Sequence, residues 1–181
     1  MTQTRVADFG AWIAIGLFAA GCAGTPESVR DYNSALRMIS EQRYAPAEEI
    51  LWKLVGHYPT DHEAWNQLGL IAFRDRRWNE AERCFRQASL LAPTRLIYRR
   101  NLALSLAEQN QLLSTREILT QLIEADPANT TFRTDLARVY WLLGEKDKAR
   151  TELAKAQELA PEDRTVQLLS HTWSLPEKSS K

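Results

Sequence analysis

Four prolines, Pro59, Pro93, Pro127 and Pro161, follow one another at intervals of 34 residues. Their surroundings are alike: YPTD, APTR, DPAN and APED. Equal steps of this kind mark a repeated structural unit, and a repeat constrains a chain more than any single motif. With each proline at position 32 of its unit, the blocks run Ser28–Asp61, His62–Arg95, Leu96–Asn129 and Thr130–Asp163. Other columns then align. Position 8 holds Ala35, Gly69, Ala103 and Ala137; position 20 holds Ala47, Ala81, Thr115 and Ala149. Position 7 holds Ser34, Leu68, Leu102 and Leu136; position 24 holds Leu51, Phe85, Leu119 and Leu153; position 27 holds Leu54, Ala88, Leu122 and Ala156.

These columns predict an all-α chain with two helices of about 14 residues in each unit, each roughly 21 Å long. Small residues at positions 8 and 20 let the two helices of a unit approach closely. The large apolar residues fill the space toward the next unit. One helix pair cannot bury its apolar faces alone, but a stack of four can. Proline ends each second helix because the residue before it is pushed out of the helical region. Thr60 with Glu63 predicts a capping box, and Thr94 and Asn129 are candidate caps for the next two units. Pro26 is placed to open the first helix. Arg164 to Trp173, with Val166, Leu169 and Trp173 on one face, predicts a helix capping the open end of the last repeat. Residues 174–181 read as a disordered tail.

The second block, W-x-x-L-G-x-x-A…W-x-x-A-x-x-x-F-x-x-A-x-x-x-x-P, resembles the tetratricopeptide repeat. The resemblance covers residues 28–163. Its departures are Thr115 in place of Ala and the lack of an aromatic at position 4 outside Trp65. It implies a superhelical solenoid of four helix-turn-helix repeats plus the capping helix.

Ahead of the repeats, Phe9 to Gly21 (FGAWIAIGLFAAG) is a run of 13 apolar or small residues. A membrane-spanning helix needs about 20, whereas a secretory signal core needs about 7–15. Ala20 and Gly21 directly before Cys22 resemble a bacterial lipobox. That resemblance implies a signal peptide over residues 1–21, acylation at Cys22 and a short linker through residue 27. With Ala23 rather than Asp following the cysteine, it implies the periplasmic face of the outer membrane of a Gram-negative cell. An ordinary cleaved signal, with Gly21 and Ala23 as the small pair, or an uncleaved anchor fits the same residues.

Charge and chemistry narrow the function. The chain carries 23 basic and 23 acidic residues. Nucleic-acid binding draws on an excess of Lys and Arg, which is missing. Two cysteines, Cys22 and Cys84, cannot build a disulfide framework or a four-cysteine zinc site. His57 and His62 are five residues apart and read as solvated turn residues. Glu48 and Glu49 are adjacent on a helix and diverge, so they form no carboxylate dyad. Cys84 reads as a small packing residue. No phosphate loop, Cys-x-x-Cys, His-Glu-x-x-His or nucleophile elbow occurs. We therefore expect no enzyme, no cofactor, no metal and no small-molecule substrate.

In the resembled family the first helices line a concave groove through positions 2, 5, 9, 12 and 13. Carried to this chain, that implies a partner-binding groove of Tyr32, Leu36, Ile39, Asn66, Leu70, Phe73, Arg74, Arg100, Leu104, Arg138 and Trp141, with Asn101 and Asp135 beside them. Such a surface suits a protein or peptide partner with apolar anchors and some acidic character, since Trp, Tyr and Arg dominate binding hot spots. Equally, the leucine ladder could pack between neighbouring first helices and bind nothing. Leu36 and Leu70 stand where a carboxylate clamp would need Asn. Trp65 and Trp78 occupy packing places, Trp173 belongs to the cap, and Trp52 is open to an outer-face role.

Repeats behind a lipobox resemble the pilotins and assembly factors of type IV and tight-adherence pili. By that analogy we expect a membrane-anchored adaptor for another envelope protein in pilus or secretion-system assembly. An envelope-maintenance scaffold for a peptidoglycan enzyme and a cytochrome-maturation chaperone are the alternatives.

Overall fold

A computed structural model describes residues 26–174. Cys22, the apolar run before it and residues 175–181 lie outside the described residues. Among the described residues nine helices follow one another: α1 (Pro26–Ser40), α2 (Tyr44–His57), α3 (His62–Arg74), α4 (Trp78–Leu91), α5 (Leu96–Glu108), α6 (Leu112–Ala125), α7 (Thr130–Leu142), α8 (Lys146–Leu159) and α9 (Arg164–Ser174). There is no strand among the described residues. The first helices α3, α5 and α7 begin at the first residue of their blocks, so the period of 34 in the sequence is a period of the backbone. Each helix packs on the next in order, and the chain is an all-α superhelical stack of four helix pairs closed by α9.

The alignment columns form the core. Ala35, Ala47, Ala81, Ala103, Ala137 and Ala149 are all fully buried. They are the small residues at which paired helices meet. Leu51, Leu68, Phe85, Leu119 and Leu153 fill the space between pairs. Thr115, the departure at position 20, is buried as completely as its alanine counterparts. Its hydroxyl donates to the carbonyls of Gln111 (2.9 Å) and Ala103 (3.3 Å), so the polar atom is satisfied where it is buried. No buried side-chain nitrogen or oxygen among the described residues lacks a partner.

Three hydrogen-bonding patterns recur with the repeat. First, position 34 caps the following first helix. Asp61 accepts from the Ala64 amide (2.9 Å), Asn129 from Phe132 (3.3 Å) and Asp163 from Thr165 and Val166 (2.7 and 3.1 Å). Asn129 caps as expected. Thr60 and Thr94 do not: each lies one residue too early, in the turn after the proline, and Asp61 and Arg95 occupy the N-cap positions. Arg95 offers no acceptor, so α5 starts without a side-chain cap. Second, position 4 donates to the carbonyl of the preceding proline. Trp65 Nε1 reaches Pro59 O (2.9 Å), an Arg133 NH2 nitrogen reaches Pro127 O (2.8 Å) and Gln167 Nε2 reaches Pro161 O (2.8 Å). What the column keeps is an N–H donor rather than an aromatic ring. Arg99 departs from this and bonds to Gln121 (2.6 Å), and Asp31 of the first repeat has no side-chain N–H to offer. Third, position 15 is left-handed in every repeat: Gln42, Arg76, Asn110 and Gly144 have φ of 61°, 59°, 59° and 79°. The next amide then returns to the helix, as from Arg77 to Ala72 O (2.8 Å), which closes each first helix in a Schellman-like turn.

Candidate interaction surface

A fourth periodic pattern decides what the first helices can offer a partner. Position 5 of each repeat meets position 6 of the next. Gln67 Nε2 lies 3.5 Å from the Tyr32 hydroxyl, Asn101 Nδ2 donates to Asn66 Oδ1 (3.0 Å) and Arg100 Nε donates to Asp135 Oδ2 (2.6 Å). All three pairs are 35 residues apart, one period plus one. Tyr32, Asn66, Arg100, Asn101 and Asp135 thus staple neighbouring first helices to one another. Asp135 is 4% exposed and Arg100 22%, so that ion pair is largely withdrawn from water. His62 Nδ1 and the Tyr98 hydroxyl, 3.0 Å apart, add a link between the second and third repeats.

Position 12 turns inward as well. Phe73 meets Trp78 edge-on at 4.9 Å between centroids and Phe85 at 6.5 Å. Trp141 is stacked flat on Trp173 of α9, with centroids 4.5 Å apart and planes 6° from parallel. Ile39 packs against the core of the first two repeats. Ile39, Phe73 and Trp141 are half-buried, and their rings and methyls also help to close the joints of the stack. Arg74 is also engaged. Its guanidinium lies 3.2 Å over the Tyr44 ring and its Nε donates to Asp75 (2.8 Å).

The remaining candidates stay open to a partner. Leu36 and Leu104 are half-buried, and Leu70 is exposed. Arg138 is exposed and makes no hydrogen bond or ion pair to any described residue. Besides Leu70 (41% exposed), the structure exposes Val29 (49%) and Ile97 (47%) at position 2 and Leu142 (65%) at position 13. Each of the four first helices α1, α3, α5 and α7 thus carries one exposed large apolar residue at a groove position. Val29, Ile97 and Leu142 were missed in the sequence, although positions 2 and 13 already belonged to the groove set. Trp52, 41% exposed, is on α2, edge-on to Trp65 at 5.8 Å, away from the first-helix surface.

Charged side chains elsewhere are spent on the stack. An Arg77 NH2 nitrogen reaches Glu48 (2.7 Å) across the first joint and Arg116 reaches Glu145 (3.3 Å) across the third. At the middle joint Gln109 donates to Glu82 (2.9 Å). Burial would raise the Glu82 carboxyl, but hydrogen bonds from Arg86 and Gln109 outweigh it and hold it below the usual carboxylate value. Cys84 is buried, and that burial pushes its thiol up to about 12. Among the described residues no group of three or more His, Cys, Asp or Glu is placed to hold a metal. No helix among them is long and apolar enough to cross a membrane.

Comparison with known proteins agrees with this architecture. Sequence models of the tetratricopeptide repeat match residues 62–95 and 106–170. No curated protein matches the chain. Among solved structures, MamA from Desulfovibrio magneticus RS-1 superimposes with a TM-score of 0.76 at 18% identity, covering 83% of this chain and 85% of that one. YrrB, a TPR protein with an unusual peptide-binding site, gives 0.73 at 16% identity over 80% and 74% of the two chains. In the Cut9–Hcn1 complex of the APC/C, the match gives 0.72 at 17% identity, covering 82% of this chain but 30% of that one.

Proposed function

The chain belongs to the tetratricopeptide repeat family, whose members hold protein or peptide partners, and from that premise we propose that it is a non-enzymatic adaptor that grips one segment of an envelope protein in the groove of its first helices. The observation that carries this reading is the row formed by Val29, Leu70, Ile97 and Leu142. The second helices expose Trp52, Leu90, Leu113 and Leu159 as well, but on α1, α3, α5 and α7 the exposed side chains stand at the positions that line the groove in this family. Scattered exposed apolar residues are ordinary, but one at a groove position of every first helix, at positions 2, 9, 2 and 13 in turn, is the pattern of an interaction surface. The polar residues around the row are tied to each other, which leaves a rigid surface and lowers the entropy lost on binding. YrrB, with its peptide-binding site, offers a precedent in the same fold.

The lipobox-like sequence ending at Cys22 supports anchoring in the outer membrane, with the repeats on the periplasmic side. If Pro26 opens the first helix a few residues after an acylated Cys22, the groove sits close to the membrane, since an extended residue spans at most about 3.6 Å. Such a position suits a factor that receives a secretin or pilus component, and we propose pilus or secretion-system assembly as its setting.

The test is crosslinked capture from envelopes with the full-length chain, set beside Leu70→Asp and Ile97→Asp. A partner held by the native protein and lost from both variants, while circular dichroism stays helical, supports the groove. A partner retained by both variants places recognition elsewhere. Recovery of a secretin or pilin supports the assembly role, and recovery of a murein hydrolase instead overturns it in favour of a peptidoglycan scaffold. Radiolabelled palmitate should enter the native chain and not Cys22→Ser; equal labelling of the two would remove the anchor.

A further inference from the structure

Helix α9 does more than close the stack. It begins as α3 and α7 do, with Asp163 capping its amides and Gln167 reaching the Pro161 carbonyl. Its inward face is Val166 and Trp173, both buried, with Trp173 stacked on Trp141 of α7. A helix held in this way stands in the register of a fifth first helix. Counting from Arg164, Leu168 falls at position 5, a groove position, and it is 66% exposed. A terminal cap needs a polar outer face, and an exposed leucine there serves no purpose in capping. At the preceding step of the stack, Arg138 occupies position 9 and Leu142 position 13 of α7. Arg138 is the one exposed groove arginine among the described residues with no internal acceptor: Arg74 is held by Asp75 and Tyr44, and Arg100 by Asp135.

We propose that α9 completes the groove, and that Leu142, Arg138 and Leu168 together form an anchor for a partner segment in which a carboxylate is flanked by apolar side chains. This rests on the groove reading given above and names the chemistry of the partner at that site. The argument for an acidic segment is complementarity. A guanidinium fixed by nothing inside the protein, between two exposed leucines, is matched by one carboxylate set between two apolar groups. A basic residue at that place would meet uncompensated like charge.

Two synthetic amphipathic peptides test it, sharing one leucine spacing and differing in glutamate against lysine between the leucines. Fluorescence polarisation is read on the intact protein. The native chain should bind the glutamate peptide about tenfold more tightly than the lysine peptide, the size of one charge-assisted contact. Arg138→Glu should reverse that order, and Leu168→Asp should weaken the glutamate peptide by about tenfold. Neither side chain supports the fold, and circular dichroism confirms that for each variant. Equal affinities for the two peptides, an order unmoved by Arg138→Glu, native-like binding by Leu168→Asp, or no binding of either peptide overturns the proposal. Leu70→Asp separates the two levels of the claim. Loss of peptide in Leu70→Asp but not in the α7 and α9 variants keeps the groove and removes the anchor, whereas peptide binding unchanged in all three removes the groove as well.

Discussion

The Phe85 ring of α4 lies directly over Gly69 of α3. A Cβ built on Gly69 would stand 2.5 Å from Phe85 Cε1 and 2.6 Å from Cδ1. The other repeats have alanine at this position and leucine opposite it, so glycine and phenylalanine here are one exchange of volume made on both sides of a joint. Gly69→Ala should therefore cost stability, by about 1–3 kcal/mol of overpacking, even though alanine favours helix. Phe85→Leu should lose about 1 kcal/mol or more of burial on its own. The double variant restores the pairing of the neighbouring repeats and should be more stable than the two single losses add up to. Urea denaturation of the four proteins checks this, and strict additivity would show that the ring is free to move away.

Arg100 and Asp135 make a prediction that separates stacking from recognition. Their bond is short and the carboxylate is nearly inaccessible to water. Removing one partner from such a pair leaves a buried charge and costs about 3–5 kcal/mol. Arg100→Ala should lower the unfolding free energy read from urea titration by somewhat less than that, because the arginine is partly exposed. Arg138→Ala, on the same face but without an internal acceptor, should leave the unfolding free energy within about 0.5 kcal/mol of native. Similar losses in the two variants would mean that Arg100 is not a staple.

The fold was legible in the sequence because its cause is periodic. A proline every 34 residues and small residues at positions 8 and 20 state helix ends and helix contacts directly, and every first helix after α1 starts where the blocks do. The groove was less legible. Tyr32, Asn66 and Arg100 face the right way, but hydrogen-bond partners 35 residues away in the sequence already hold them, and no single-repeat pattern reveals a bond between repeats. The engagement of Trp141 within the stack was illegible for the same reason. Its stacking partner Trp173 lies in α9, which the sequence suggested only as a cap. Thr60 and Thr94 illustrate a finer limit, since an N-cap displaced by one residue leaves the helix start unchanged while the acceptor passes to Asp61 in one repeat and is lost at Arg95 in the next.

Cys84 supplies a test of packing that is independent of binding. Burial is the main cause that raises its thiol from 9.0 to about 12, with the Glu80 carboxylate adding to it. A raised folded-state value means that the neutral thiol is favoured by folding. The contribution is complete below the unfolded value near 9 and is lost as pH rises from there through the folded value. In a Cys22→Ser chain, which leaves Cys84 as the single thiol, the folded protein between pH 7 and 8 should react with a thiol reagent such as dithionitrobenzoate only as fast as the second repeat opens, and fully in urea. Rapid labelling of that folded chain at pH 8 would mean that the α3–α4 joint is loose. Above pH 9, the Cys84→Ala variant should lose stability less steeply than the native protein.

Arg76 occupies a left-handed position with φ of 59°, at the place where Gly144 serves the fourth repeat with φ of 79°. A residue with a Cβ is strained there by about 1–2 kcal/mol. Glycine relieves the strain but gives the unfolded chain more freedom, which offsets about 0.4–1 kcal/mol. Strain is the larger of the two, so Arg76→Gly should stabilise the chain by about 0.5–1 kcal/mol. The Arg76 side chain is exposed, and the turn is closed by backbone bonds from Arg76 to Phe73 O and from Arg77 to Ala72 O that glycine keeps. The reverse change, Gly144→Ala, should destabilise by about 1 kcal/mol or more although a Cβ there meets nothing within 4 Å, because the strain lies in the backbone and not in contacts. Urea midpoints moving in opposite directions for Arg76→Gly and Gly144→Ala would establish that the second turn residue of each repeat is limited by φ. A fall in stability for Arg76→Gly would instead show that the arginine is retained for a contact its exposure conceals.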